Sequence, residues 1–151
     1  MDIQEAYAEI STPEIDGLVA GYVHRHFGEE TKGYLRVHNN VWRFQEEDFE
    51  YNLIITSKLI IFDALLFPSL PENRLGFFQD MLDLNAHQTK QAKFCLVKDR
   101  VHLRLINEHA HYTFEEFTDN LFEFRWQVPR LRDNLGAKFF KRTETEGEEA
   151  E

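Results

Sequence analysis

Residues 34–67 read YLRVHNNVWRFQEEDFEYNLIITSKLIIFDALLF, and the fold follows from how that stretch divides. Phe49, Tyr51, Leu53 and Ile55 alternate with Glu50, Asn52 and Thr56, the period of a strand with one wetter face. Leu59–Phe67 is almost wholly apolar, as an interior strand covered on both sides would be. Ser57-Lys58 separates the two as a turn. Upstream, Tyr34–His38 and Val41–Gln45 flank Asn39-Asn40, a pair that tolerates the positive φ of tight turns. The stretch therefore predicts three main antiparallel strands, the first of them split.

Helices bracket this block. Thr12 is a candidate N-cap with Pro13 in the first helical position, where its missing N–H costs nothing. Ile15, Leu18, Val19, Tyr22 and Val23 then share one face, and Gly28 stops the run. Downstream, Ser69, Pro71 and Glu72 resemble a capping box. That box predicts a helix with Leu75, Phe78, Met81 and Leu82 on its face, ending at Leu84-Asn85. Lys93–Lys98 and Val101–Asn107 predict a hairpin about Asp99-Arg100, with Phe94, Leu96, Val101, Leu103 and Leu105 facing one side. Thr113 with Glu116 caps the last helix. Its apolar residues Phe114, Phe117, Leu121, Phe124, Val128, Leu131 and Leu135 form a heptad-like seam. Pro129 predicts a kink or division near Val128. The resulting class is α+β, in the order helix, three strands, helix, two strands, helix, with an antiparallel sheet packed against helices.

The chain has 151 residues and a mass of 18.0 kDa, enough for one core without metal or disulfide. Residues 1–142 are read as a single domain. Residues 143–151 (TETEGEEAE) hold five Glu and nothing to bury, which predicts a disordered acidic tail. The net charge of -10 argues against nucleic acid as the main partner, since phosphate contacts need a basic face. Residues 1–123 carry 11 basic and 21 acidic side chains, while residues 124–142 set six cations against Asp133. A basic block thus precedes the acidic tail. Cations near a helix C-terminus explain part of it, and an acidic partner segment or the tail itself would explain the rest. No apolar run is long enough for a membrane span, and the opening MDIQEAYAEI is acidic rather than signal-like. The expectation is a soluble cytoplasmic protein that binds neither membrane nor nucleic acid.

Catalytic and metal chemistry find little support. His24 and His26 are two apart on a predicted helix and point in different directions. His109 and His111 can face one way, and they are the one place where a small metal-binding protein or enzyme could be built. Nothing with zinc-ligand spacing completes such a site. Cys95, the only cysteine, lies in an alternating strand and reads as a half-buried thiol. Ser11, Ser57 and Ser69 fall at caps and turns, and the glycines match no phosphate loop. The expectation is no enzyme, no metal and no cofactor.

Two aromatic pairs stand out instead. Phe122 and Trp126, four apart and off the main seam of the last helix, fit either a second buried surface, such as a homodimer interface, or a broad stripe within one core. Trp42 and Phe44 share one side of Val41–Gln45. If that strand lies at the sheet edge, they offer a partner strand both main-chain hydrogen bonds and an aromatic pocket. Coverage of the sheet under a helix is the competing reading.

The run Phe77-Phe78-Gln79-Asp80-Met81-Leu82-Asp83-Leu84-Asn85, the strands Phe94–Val97 and Val101–Leu103, and the segment Tyr112–Phe117 together resemble the YbjN-like and type III secretion chaperone-like group. The matching segments span about residues 12–135, with Leu84-Asn85 the most motif-like junction. The sequence departs from the chaperone pattern in its aromatic last helix and its basic C-terminal stretch. The resemblance implies a small, acidic, bacterial, non-enzymatic homodimer that binds an extended segment of a protein client along apolar grooves. A YbjN-type regulatory protein without a secretion client is the alternative it implies.

Overall fold

The computed structural model describes residues 11–30 and 32–140. Among them are three helices and one antiparallel sheet of six strands. In chain order these are α1 (Pro13–Phe27), β1 (Tyr34–His38), β2 (Val41–Gln45), β3 (Glu50–Ile55), β4 (Leu59–Phe67), α2 (Arg74–His87), β5 (Lys93–Val97), β6 (Arg100–Glu108) and α3 (Phe114–Phe139). The strand order is β1-β2-β3-β4-β6-β5. The predicted α+β architecture holds, and the first predicted strand is two full strands, β1 and β2. The expected acidic tail and the residues Lys141 and Arg142 lie outside the described residues.

Alternation sorts the sheet into two faces. Trp42, Phe44, Tyr51, Leu53, Phe62, Leu103 and Leu105 face the helices, where Val19 and Val23 of α1, Phe77 of α2 and the α3 seam complete the main core. The predicted seam is buried from Phe117 to Leu135, with Phe114 half-buried at its start. On the other face Val41, Ile54 and Ile61 form a small cluster with Val37 and Leu59, without a helix residue. β4 runs down the middle between β3 and β6, which accounts for its nearly unbroken apolar sequence.

Several local expectations need correction. The Thr12 hydroxyl makes no capping bond, and Ser11 Oγ instead donates to the Asp16 carboxylate at 3.0 Å. α2 is capped by Asn73, whose side chain accepts from the Gly76 N–H at 3.0 Å, so the helix starts later than the Ser69 box predicts. A Cβ at Gly76 would come within 2.6 Å of the Asn73 amide nitrogen, so a larger residue there would push the capping side chain aside. α2 continues past Leu84-Asn85 to His87, because Asn85 is used as a tie: its side chain accepts from the Phe94 N–H at 2.9 Å. Leu75 and Leu82, predicted to face the core, are each 70% exposed. Leu18 and Leu96 also reach solvent, at 41% and 46%. The β5–β6 turn is Lys98-Asp99, with both φ positive at 51° and 64°, the geometry of a two-residue hairpin matching strand twist. Asn39 and Asn40 take no positive φ, and β1 and β2 instead shift register between Arg36 and His38.

α3 is capped as predicted, with Thr113 Oγ1 accepting from the Glu116 N–H at 3.1 Å. It runs unbroken through Pro129, so the predicted division does not occur. The lost hydrogen bond is offset by Val128 and Leu131, fully buried on either side of the proline.

Candidate protein-binding surface

α3 presents three rows. Its apolar seam lies on the sheet. A second, polar row clamps the loop between α2 and β5. Glu123 is buried, and its carboxylate accepts three successive backbone N–H groups: Lys90 at 3.0 Å, Gln91 at 3.0 Å and Ala92 at 3.1 Å. Gln127 donates to the Gln88 carbonyl at 3.1 Å, and Asn120 donates to the Gln91 side chain at 3.1 Å. Asn120 Oδ1 accepts from Tyr112 at 2.6 Å and Asn107 at 3.1 Å. Burial and the neighbouring Glu116 push the Tyr112 phenol well above its usual range, so it stays a donor.

The third row is exposed. Phe122 and Trp126 are 67% and 54% accessible, so the broad-stripe reading of these residues does not hold. Both rings border a surface cavity of about 260 Å³, together with Lys90, Gln91, Asp119, Asn120, Glu123 and Gln127. The Arg130 guanidinium lies 4.2 Å from the Trp126 ring and donates to Gln88 at 2.7 Å and Gln127 at 2.6 Å. The indole is therefore held in place while exposed.

The described cations of the basic block are engaged within the chain. Arg125 pairs with Glu46 at 2.5 Å, Arg132 donates to the Leu65 carbonyl at 2.8 Å, and Lys138 pairs with Asp80 at 2.6 Å. Among the described residues, these acceptors account for Arg125, Arg132 and Lys138 without a second chain. Tyr51 lies beside the Arg125–Glu46 pair, and burial raises its pKa.

Trp42 and Phe44 are 5% and 1% exposed and belong to the main core. β2 is an interior strand between β1 and β3, so the edge position on which their binding role depended is not theirs. The edges are β1 and β5. At β5 the first half of the outer side is tied to α2: Asn85 accepts from the Phe94 N–H, and Lys93 Nζ donates to the Asn85 carbonyl at 2.9 Å. At β1, Gln45 N–H donates to the Gly33 carbonyl at 2.8 Å. Alternation from that bond turns the N–H groups of Tyr34 and Arg36 outward. Leu35 is 54% exposed, and the Arg36 guanidinium lies 5.0 Å from the Trp42 ring. Trp42 thus supports the edge from beneath.

The histidine sites have ordinary partners. His109 Nε2 faces the Ser57 carbonyl at 2.8 Å, so that nitrogen carries the proton and fixes the β3–β4 turn. His111 sits at a positive φ of 65° in the loop before α3. Among the described residues no group of three or more His, Cys, Asp or Glu is gathered for a metal. His26 stacks edge-on against Phe27 and Phe117, and burial followed by Arg125 lowers its pKa. Burial raises the Cys95 thiol.

One polar cluster had no counterpart in the sequence reading. Asp63, in the middle of β4, is buried on the face away from the helices. Its Oδ1 accepts from Arg104 Nε and its Oδ2 faces His102 Nδ1, both at 2.9 Å. Its signal was a carboxylate inside LIIFDALLF, and two polar residues at alternate positions of β6.

No protein-family model matches the chain, and no curated protein matches it. Solved structures do. One is a chain of the heterodimeric ExoU–SpcU complex from the type III secretion system of Pseudomonas aeruginosa. It is 14% identical with a TM-score of 0.55, over 75% of this chain and 93% of that one. Another is a chain of the ExsC–ExsE complex, 16% identical with a TM-score of 0.60, over 83% of this chain and 96% of that one. At these identities the likeness is one of fold, and it agrees with the resemblance to the secretion chaperone-like group. Among the described residues no helix is long and apolar enough to cross a membrane.

Proposed function

We propose that this chain is a non-enzymatic, chaperone-like module that captures an extended segment of a partner protein, a client or a regulatory partner, by strand addition at β1. The observation that carries the reading is the contrast between the two sheet edges. β5 gives its outward Phe94 N–H to Asn85 of α2, whereas β1 turns the Tyr34 and Arg36 N–H groups outward beside exposed Leu35. Such an edge supplies main-chain hydrogen bonds, and side chains on alternate positions supply selectivity. The fold shared with chains of two-protein secretion complexes supports it.

The test is a backbone substitution. Arg36→Pro removes an outward donor without taking a bond from the β1–β2 ladder. A partner recovered from the native host and purified should bind Arg36→Pro at least about tenfold more weakly. Arg36→Ala, which keeps the N–H, should retain most of the binding. Equal binding by the folded proline variant would refute capture at this edge.

A further inference from the structure

The C-terminal turn of α1 sits against the strand edge to which capture is assigned. Phe27 closes that helix, with its ring 4.8 Å from the Tyr34 ring and stacked at 5.9 Å on Phe44. It also packs on Gly33, where an added Cβ would stand 3.7 Å from Phe27 Cε1. The Gly33 carbonyl accepts from the Gln45 N–H at 2.8 Å, the bond that fastens the start of β1 to β2. One ring therefore supports the bend into β1, its first residue and the strand beside it. Tyr34 in turn carries one of the two outward N–H groups of the edge.

His26 supports that ring. Its imidazole is half-buried and meets Phe27 edge-on at 4.9 Å and Phe117 of α3 edge-on at 6.3 Å. The charged groups acting on it are Arg125 of α3 and Glu46, which follows β2. These two are paired with each other, and the Arg125 guanidinium also lies 5.9 Å from the Phe27 ring. In the last turn of α1 itself, Arg25 is drawn onto the Phe114 ring at 4.1 Å and His24 is exposed. Glu46 favours an imidazolium, but burial and Arg125 outweigh it, so the packed site prefers the neutral ring. Arg125 is pinned by Glu46, so the half-buried imidazole is the group free to yield.

From this arrangement we infer that His26 is a proton-operated latch on the β1 edge. The neutral ring props Phe27 against Gly33 and Tyr34. The protonated ring turns to water, leaves Phe27 without that prop, and lets the edge loosen. The inference rests on strand capture at β1 and adds its regulation: a captured segment is released on acidification. In the packed edge the imidazole titrates below its ordinary value of about 6.5, and in the loosened edge it is solvated and returns to that value. The loosened form thus binds more protons in this window and gains on the packed form as pH falls through it, by up to about tenfold for each unit between the two values.

The experiment is amide hydrogen exchange of the full chain, followed by NMR from about pH 7.5 to about pH 5, where most carboxylates stay ionised. Gln45 protection, corrected for the intrinsic rate, should fall at least about twofold, with the midpoint of the His26 titration read on the same sample. His26→Phe keeps a ring and takes no proton, so its Gln45 protection should stay level. His26→Gln should do the same, and covers the case of a phenylalanine variant that fails to fold. His38→Gln, at an exposed position of β1, should leave the fall in place. The partner purified from the native host should bind the wild type at least about twofold more weakly at the acid end, and His26→Phe equally at both ends. Level Gln45 protection in a wild type whose His26 titrates would overturn the latch. So would a fall that His38→Gln abolishes and His26→Phe keeps. Partner binding indifferent to pH while the edge loosens would overturn release. The exchange readout needs no partner, so failure of the latch is seen apart from failure of capture, which Arg36→Pro reports.

Discussion

Replacing Glu123 by alanine should destabilise the fold far more than its place on a helix surface row suggests. The Glu123 carboxylate accepts from the N–H groups of Lys90, Gln91 and Ala92 at 3.0–3.1 Å. Ala92 is fully buried, so its N–H would lose its partner outright, at a cost of about 1–3 kcal/mol. Lys90 and Gln91 are at the surface and can turn to water, so each contributes only about 0.5–1 kcal/mol. The sum is about 2–5 kcal/mol, set against a total stability of about 5–15 kcal/mol for a domain. In a protein of this size that lowers Tm by roughly 5–15 °C. Urea unfolding should show a shifted midpoint with an unchanged slope, because the surface exposed on unfolding is the same. Hydrogen exchange should report lost protection at residues 90–92. Glu123→Gln keeps one oxygen but turns an NH2 towards at least one of the three donors, so it should lie between alanine and wild type. A loss below about 0.5 kcal/mol for Glu123→Ala would refute the view that this carboxylate holds the loop, placing it with ordinary surface substitutions.

Three further outcomes follow from burial and electrostatics. Trp42→Ala should cost about 3–5 kcal/mol in unfolding stability, since the indole is 5% exposed within the core; a near-native variant would return Trp42 to the list of binding residues. His26 should titrate below the ordinary value of about 6.5, because burial and Arg125 both disfavour its cation. The unfolded chain then binds more protons between the lowered value and about 6.5, so stability falls as pH drops through that window, and His26→Gln should flatten the slope. A histidine midpoint above 6.5 by NMR would contradict this. Cys95 should react with a disulfide reagent at neutral pH more slowly than an unfolded cysteine, as it is half-buried with a raised pKa; equal rates would show an accessible thiolate.

Legibility in the sequence tracked whether a signal was local. The strand period through Tyr51–Ile55, the apolar run of β4, the Thr113–Glu116 cap and the α3 seam each lie within one element and read correctly, although the wetter face expected of β3 is buried at Ile54 and Thr56. The α2 start was misplaced because Ser69-Pro71-Glu72 resembles a cap while Asn73 forms it, and Gly76 makes room for the Asn73 amide. Helical spacing puts Leu75 and Leu82 on the core-facing stripe, but spacing shows which residues share a face and not whether anything covers that face. The strand order was not visible either, and with it went the interior position of β2 and the burial of Trp42. Clusters formed by residues far apart in sequence were likewise invisible. Asp63 meets residues 39 and 41 positions away, and Glu123 holds N–H groups 31 to 33 residues upstream.

The three rows of α3 depend on one another. Phe122 and Trp126 each sit one position before a clamp residue, Glu123 and Gln127, which are fastened to the loop that frames the exposed cavity. On the other side the seam through Leu121, Phe124 and Val128 fixes the helix on the sheet. An exposed aromatic pair costs solubility in a lone chain, and a flexible support would also leave it free to collapse onto its own surface. Here collapse is blocked: Arg130 braces the indole, and the loop is tied down by a buried carboxylate. The chain keeps Trp126 braced and outward-facing. The Glu123 substitution therefore acts on both levels. Loosening residues 90–92 should also loosen the Gln88–Arg130 brace on the Trp126 indole in a variant that is still folded, read as a change in tryptophan fluorescence, and should leave Arg36-dependent capture at the far edge of the sheet unchanged.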